Sequence, residues 1–351
     1  MNPTIRADLD AIPAYAAGRT VPGSLKLASN EIPLPPPPSV LAAIAEAAAN
    51  GNRYPDPGVT RLTARLAERH GLTTDRIAVG CGSVLLCQQL VQIVCGDPED
   101  EVIYAWRSFE AYPIVVRISN ARNVPVPLDS EYRHDLKAMA AAITPRTRMV
   151  FLCSPNNPTG TALRREELCA FLAEVPKDVL VVLDEAYREF VTDVDVPDGL
   201  TLLEGRPNLV VLRTFSKAYR LAGLRVGYAV GDPAVIGALR KVYPAFSVSS
   251  LAQAAALASL DCVPELLATC AEITEERVRV RNELTELGFT VADTQANFVW
   301  LPLGERAIEF AQHCEREKVI LRPFAGDGVR VTVAGADEND TFLAAARKFV
   351  L

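Results

Sequence analysis

Histidine is scarce in this 351-residue chain: the three present, His70, His134 and His313, stand in no motif. That leaves little material for a histidine base or a His-rich metal centre. The eight cysteines (Cys81, Cys87, Cys95, Cys153, Cys169, Cys262, Cys270 and Cys314) include no Cys-x-x-Cys pair and lie far apart in apolar segments. A metal knuckle is thereby excluded, and reduced core thiols are expected. Clustered basic residues are also missing, since 36 Lys and Arg are scattered among 43 Asp and Glu for a formal net charge of −7. Nothing here resembles an electrostatic footprint for nucleic acid. No apolar run is long enough to span a bilayer, and the first ten residues lack the apolar centre of a signal peptide. The expectation is a cytoplasmic protein, without membrane or nucleic-acid partners, that acts on small molecules.

What is present is an ordinary globular composition, 49% hydrophobic and 23% charged, in a chain long enough for two domains. Residues 1–39 read as an irregular arm, because Pro13, Pro22, Gly23 and the run Pro33-Leu-Pro-Pro-Pro-Pro38 break helices. Ser39 reads as the cap of a helix over Val40 to Ala49. Apolar runs at 76–79, 101–104, 123–126, 148–153, 179–183, 209–212 and 226–230 read as seven strands, with helical stretches between several of them. This rhythm predicts an α/β fold, a mostly parallel seven-stranded sheet between helices, over residues 40–245. Residues 246–351 change texture. A long helical region (250–287), strands near 297–301 and 328–334 and a closing helix (338–350) predict a small α+β domain that the arm completes.

The chemistry concentrates at strand ends. Behind the apolar run Asn208 to Leu212 comes Arg213-Thr-Phe-Ser-Lys-Ala-Tyr-Arg-Leu-Ala-Gly-Leu-Arg225. In this turn Lys217 is an amine able to form a Schiff base, while Ser216 and Arg225 supply a hydroxyl and a fixed charge for a phosphate. A phosphorylated aldehyde tethered to lysine is implied, with pyridoxal 5′-phosphate the obvious candidate. Asp184 ends the apolar run Val181-Val-Leu183, where a desolvated carboxylate needs a cation; a protonated pyridine nitrogen would serve, and a loop carboxylate or helix N-cap is the plain alternative. Asn157, in the turn Asn156-Asn-Pro-Thr-Gly160, and Tyr187, just past Asp184, can both reach a phenolate oxygen. In Gly80-Cys-Gly-Ser-Val84 the N–H groups of Ser83 and Val84, with the Ser83 hydroxyl, form an anion site at a helix start. Phe109 can stack on a pyridine ring, although the spacing of Trp106, Phe109 and Tyr112 equally suits packing along one helix. Arg330, in an otherwise apolar strand, is a candidate clamp for an α-carboxylate; a structural salt bridge is the alternative, with more weight for Arg322.

With these residues in order, the chain resembles the pyridoxal-phosphate aminotransferases of fold type I, in the histidinol-phosphate aminotransferase group. The resemblance runs from Leu27-Ala-Ser-Asn-Glu31 through Arg53-Tyr-Pro-Asp56, Asp184-Glu-Ala-Tyr187 and Thr214-Phe-Ser-Lys217 to Ala296-Asn-Phe-Val299 and Arg330. Within that group, the segments 22–31, 80–89 and 106–112 are similar to actinobacterial aromatic amino acid aminotransferases. The resemblance implies a homodimer in which Tyr54 reaches the cofactor phosphate of the other subunit, and places Tyr15 and Arg322 near the substrate. It implies ping-pong transamination of phenylalanine or tyrosine with 2-oxoglutarate, with histidinol-phosphate transamination as the alternative. A noncatalytic protein that kept the fold is disfavoured, because Lys217, Asp184, Asn157 and Arg225 are all present. Departures from the group's pattern fall at Cys81, Val84, Arg220, where glycine is usual, and Ile32.

Overall fold

The computed structural model describes residues 20–350 together with Arg6, Leu9, Asp10 and Ile12; Tyr15 lies outside the described residues. Its strands, in chain order, begin with β1 (Leu25–Lys26), β2 (Ile77–Gly80), β3 (Glu101–Trp106), β4 (Arg122–Pro127), β5 (Thr147–Cys153) and β6 (Leu180–Asp184). They continue with β7 (Leu209–Thr214), β8 (Gly227–Val230), β9 (Phe298–Leu301), β10 (Val319–Ile320), β11 (Arg322–Phe324) and β12 (Gly328–Thr332). The first helices are α1 (Pro38–Ala48), α2 (Thr60–His70), α3 (Ser83–Val94), α4 (Ala111–Ile118), α5 (Leu136–Ala141) and α6 (Arg165–Glu174). After them come α7 (Pro233–Lys241), α8 (Ser250–Ser259), α9 (Val263–Glu286), α10 (Ala307–Arg316) and α11 (Ala336–Arg347).

Seven strands form the central sheet in the order β2-β8-β7-β6-β5-β3-β4. From β4 to β7 every pairing is parallel; β8 alone is reversed, antiparallel to both β7 and β2. The middle strands are apolar at successive positions because both faces are covered, and side chains of period two feed two separate cores. In β6, Val181 and Leu183 enter one core while Leu180 and Val182 enter the other, and β7 divides Leu209 and Val211 from Val210 and Leu212 in the same way. Helices α3, α4 and α7 close one face through Leu86, Leu90, Tyr112 and Ile236. The opposite face is covered by α2, α6 and α8, through Leu62, Leu66, Phe171 and Ala252.

Residues further on form an antiparallel sheet, β11-β12-β9, backed by α9, α10 and α11. The short strand β1 pairs in parallel with β10, so the chain's beginning is tied to this second sheet. Helix α1 packs on α8.

Three sequence expectations are corrected. The helical region 250–287 is two helices, α8 and α9, which meet at 78°. Pro264 in the first turn of α9 lacks an N–H and cannot continue a preceding helix, so the chain restarts there. Helix α1 begins at Pro38, which occupies its first turn, and no side chain caps it; the Ser39 hydroxyl instead meets Cys262 Sγ at 3.1 Å. The last helix covers Ala336–Arg347, set two to three residues earlier than expected. Among the described residues no single helix is long and apolar enough to cross a membrane.

One charged cluster is buried beneath the strand ends. Arg213 donates to Glu185 (2.8 Å) and Asp198 (2.6 Å), and the second Glu185 oxygen accepts from the Gly199 N–H (2.7 Å). Removing one partner of such a group strands the rest without solvent. Glu185→Gln is therefore expected to lower unfolding stability by about 3 kcal/mol, read from urea denaturation.

Candidate active site

Parallel strands of one sheet end at one edge, and here those ends carry the chemical groups. Asp184 is the last residue of β6, Thr214 the last of β7 and Cys153 the last of β5. The reversed strand brings its beginning to the same edge: Gly227 lies opposite Thr214 on one side and Gly80 on the other. The turn carrying Lys217, the glycine turn before α3 and Arg225 therefore converge. A cavity of about 210 Å³ sits there. Ser83, Val84, Phe109, Asn157, Asp184, Tyr187, Ser216, Lys217, Arg225, Arg322 and Arg330 all line it. Tyr54 does not: its side chain is 82% exposed and stacks on Phe246 with ring centroids 4.6 Å apart.

Two ionisable groups in this cavity titrate away from their ordinary ranges. Burial raises the Asp184 carboxyl to about 6, against the partial opposition of the Tyr112 hydroxyl and the nearby Ala186 N–H. Tyr112 donates to Oδ2 at 2.9 Å, while Oδ1 is buried and makes no hydrogen bond among the described residues. Asp184 caps no helix, since β6 is followed only by a 3₁₀ turn at Arg188–Phe190. Lys217 is pushed down to about 7, first by burial and then by the positive charge of Arg330. Its Nζ donates to the Ser29 carbonyl (3.0 Å) and lies 5.6 Å from the centre of the Tyr187 ring.

The glycine turn and Arg225 interlock. Gly82 has φ +78°, which favours glycine, and a Cβ there would fall 2.5 Å from a guanidinium nitrogen of Arg225, so any larger residue would displace the arginine from its present place. Arg225 itself sits at φ +59°, a conformation that costs an ordinary residue about 1 kcal/mol. Its Nη1 donates to the Ala222 carbonyl (2.9 Å) and reaches the Ser216 hydroxyl (3.4 Å). Helix α3 begins at Ser83 and carries no side-chain cap, so its N-terminal dipole faces the cavity with Arg225.

Arg330 donates to Asn157 Oδ1 (2.5 Å) and to the Ala28 carbonyl (2.7 Å). The first bond identifies the amide oxygen of Asn157 and leaves its NH₂ as the donor. Arg322 makes the ion pair foreseen as its alternative, with Glu110 at 2.8 Å, yet still lines the cavity. The helical spacing proposed for Trp106, Phe109 and Tyr112 does not apply: Trp106 ends β3 and α4 starts only at Ala111. Phe109 meets Tyr112 edge-on at 5.5 Å.

Sequence reasoning missed Tyr112 as the partner of Asp184, and it missed Asn30. The Asn30 amide donates to the Tyr187 hydroxyl (2.9 Å), its backbone N–H donates to Thr332 Oγ1 (2.9 Å), and its carbonyl accepts from Asn297 (3.2 Å). The one available signal was on the partner side, where Asn297 stands between the apolar Ala296 and Phe298; Asn30, between Ser29 and Glu31, carried none. Arg220 is clarified as well. It has φ +58°, the conformation that makes glycine usual there, and its guanidinium bonds Pro35 O (3.1 Å) and Thr269 Oγ1 (2.5 Å), away from the cavity. Ile32 is a core residue.

The arrangement combines a dry amine, a dry carboxylate with an open oxygen, an anion cradle and two arginines, a set suited to an anionic aldehyde cofactor and an anionic substrate. The model of aminotransferase class I and II matches residues 22–347, and the chain belongs to that family. It is similar to the aromatic amino acid aminotransferase of Rhodococcus jostii, 58% identical over 99% of this chain and 96% of the relative. The aromatic amino acid aminotransferase of Streptomyces coelicolor is 54% identical over 99% and 98%. Among solved structures, histidinol-phosphate aminotransferase from Sinorhizobium meliloti, in complex with pyridoxal-5′-phosphate, superposes with a TM-score of 0.85 at 30% identity, covering 92% of this chain and 90% of that one. A single mutant of the aspartate aminotransferase of Thermus thermophilus shares the fold, with a TM-score of 0.86 at 22% identity over 99% of this chain and 100% of that one.

The Lys217 shift fixes a sign. The unfolded chain holds this amine near 10.5, so between about 7 and 10.5 only the unfolded state binds the proton, and stability rises with pH through that window. In protein freed of small aldehydes, amine modification of Lys217 followed by mass spectrometry is expected to show a midpoint near 7. Arg330→Gln should move the midpoint upward; an unmoved midpoint would remove Arg330 as a cause.

Proposed function

We propose that this aminotransferase uses pyridoxal 5′-phosphate to transaminate phenylalanine or tyrosine with 2-oxoglutarate in two alternating half-reactions. The observation that carries the cofactor assignment is the open Oδ1 of Asp184, buried in the cavity that also holds Lys217. An oxygen so placed fits a cationic N–H donor, such as a protonated pyridine nitrogen, and the interlocked Gly82 and Arg225 fit a phosphate. When bound, the cofactor supplies a carbonyl for the substrate amine and a conjugated ring that accepts the electron pair released at the α-carbon.

The chain's own residues do the rest. The N–H groups of Ser83 and Val84, the hydroxyls of Ser83 and Ser216 and the Arg225 guanidinium hold the phosphate. Asp184 keeps the ring-nitrogen proton in place, and the Asn157 amide and the Tyr187 hydroxyl donate to the ring oxygen. Phe109 covers the ring face, and Arg330 takes the substrate α-carboxylate. Lys217, whose amine burial lowers to about 7 so that a large share of it is uncharged near neutrality, would take the proton from the substrate α-carbon at Nζ and give it back later in the same half-reaction.

The aromatic preference draws its support from the names of relatives 54–58% identical across nearly the whole chain. In this reading the protein is a cytoplasmic homodimer divided into an arm (1–39), a large domain (40–245) and a small domain (246–351). Tyr54 serves the neighbouring subunit's phosphate, which accords with its exposed ring, and Tyr15 approaches the substrate.

With glutamate as donor, kcat/KM for phenylpyruvate is expected to exceed that for imidazole acetol phosphate by at least about tenfold, a modest difference of transition-state binding. The reverse preference would overturn the aromatic reading in favour of histidinol-phosphate transamination. Lys217→Ala is expected to lower turnover at least about 10³-fold by removing the proton-transfer group.

A further inference from the structure

The cavity holds one acid besides Asp184. Glu110 occupies the position just before α4, where an acidic side chain ordinarily turns back onto the helix's free N–H groups, yet it makes no such cap. Its carboxylate is instead paired with Arg322 at 2.8 Å, with side-chain exposures of 33% and 16%. The reason lies in the sheet. Arg322 of β11 stands directly opposite Arg330 of β12, so their stems leave the same face and two guanidinium groups crowd one end of the cavity. Phe324 lies beneath both, 5.6 Å from Arg322 and 6.0 Å from Arg330. Without Glu110 this end would carry two adjacent positive charges.

We propose that Glu110 determines substrate selection by holding Arg322 in a neutral pair, so that the distal end of the cavity takes an uncharged aromatic ring and surrenders Arg322 only to a single distal carboxylate. This rests on the transamination reading, in which an aromatic and a dicarboxylic substrate must occupy the same space in turn. With the pair closed, the planar guanidinium offers an aromatic ring a flat, charge-compensated surface. The pair is partly exposed and therefore weakly held, so one incoming carboxylate can replace one outgoing carboxylate. A distal dianion fares worse, because the displaced Glu110 stays beside it as a like charge. Glu110 thus works as a repulsive element against phosphorylated substrates while leaving the α-carboxylate to Arg330.

The test uses wild-type, Glu110→Gln and Glu110→Asp holoenzyme, with three unreactive ligands titrated by calorimetry: 3-phenylpropionate, glutarate and 3-phosphonopropionate. Glu110→Gln is expected to bind glutarate about fivefold and 3-phosphonopropionate about tenfold more tightly, with 3-phenylpropionate changed less than about twofold. KM for 2-oxoglutarate should fall by a similar factor with kcat for the aromatic half-reaction retained, and Glu110→Asp should restore the wild-type order of affinities. An unchanged ratio among the three ligands, or equal weakening of all three, would overturn the role of Glu110. The substrate reading fails separately, if the wild-type enzyme prefers imidazole acetol phosphate to phenylpyruvate.

Discussion

A carboxylate placed at the end of a central strand, beyond the reach of water, must be met by a donor or lose its charge. Asp184 is in that position, and much of the surrounding architecture serves it. Tyr112, anchored on α4 and stacked on Phe151 at 4.4 Å, satisfies one oxygen and leaves the other open toward the cavity. The same dryness that raises Asp184 lowers Lys217, so one cavity holds an acid and a base that both titrate close to neutrality. Neither state is comfortable in the protein alone. A ligand that brings an N–H donor for one and a carbonyl for the other relieves both, so the cost of burying these groups is returned as affinity.

Holding such groups in register requires rigid support, and the sheet provides it from below. Glu185 follows Asp184 directly, and its salt bridge to Arg213 spans from the end of β6 to β7, two residues before the turn that bears Ser216 and Lys217. Asp198 also pairs with Arg213, and Arg188, 3.9 Å from it, balances its charge. On the other side, Arg330 links the second sheet to the Asn157 turn and to Ala28, while Asn30 joins Tyr187 to Thr332 and Asn297. The chain's early segment is therefore a structural part of the site, held from both sheets at once.

The strands were readable because burial on both faces leaves unbroken apolar runs, as in Val181-Val-Leu183 and Leu209-Val-Val-Leu212. The polar residues terminating those runs, Asp184 and the turn to Lys217, were readable for the same reason: polarity after such a run marks an edge. Tyr112, Asn30 and Glu110 were not readable, since their partners lie 72, 157 and 212 residues away and nothing local distinguishes them from packing, loop or helix-start residues. The direction of β8 was equally hidden, because an apolar run looks the same in either orientation. The break between α8 and α9 did leave a trace in Pro264, overshadowed by the helical texture on both sides.

Gly227 carries a consequence for the freedom of the chain to vary. A β-carbon there would lie 2.7 Å from the Ser83 nitrogen, 3.0 Å from the Arg213 carbonyl and 3.1 Å from the Gly82 carbonyl carbon. All three neighbours are backbone, so no rotamer change can make room, and even alanine would push apart the two turns that the reversed strand draws together. Position 227 is thus closed to mutational drift for as long as the cradle is kept, whereas Arg220, only seven residues earlier, shows that a backbone conformation favouring glycine can still be colonised by a large side chain when its end finds partners, here Pro35 and Thr269.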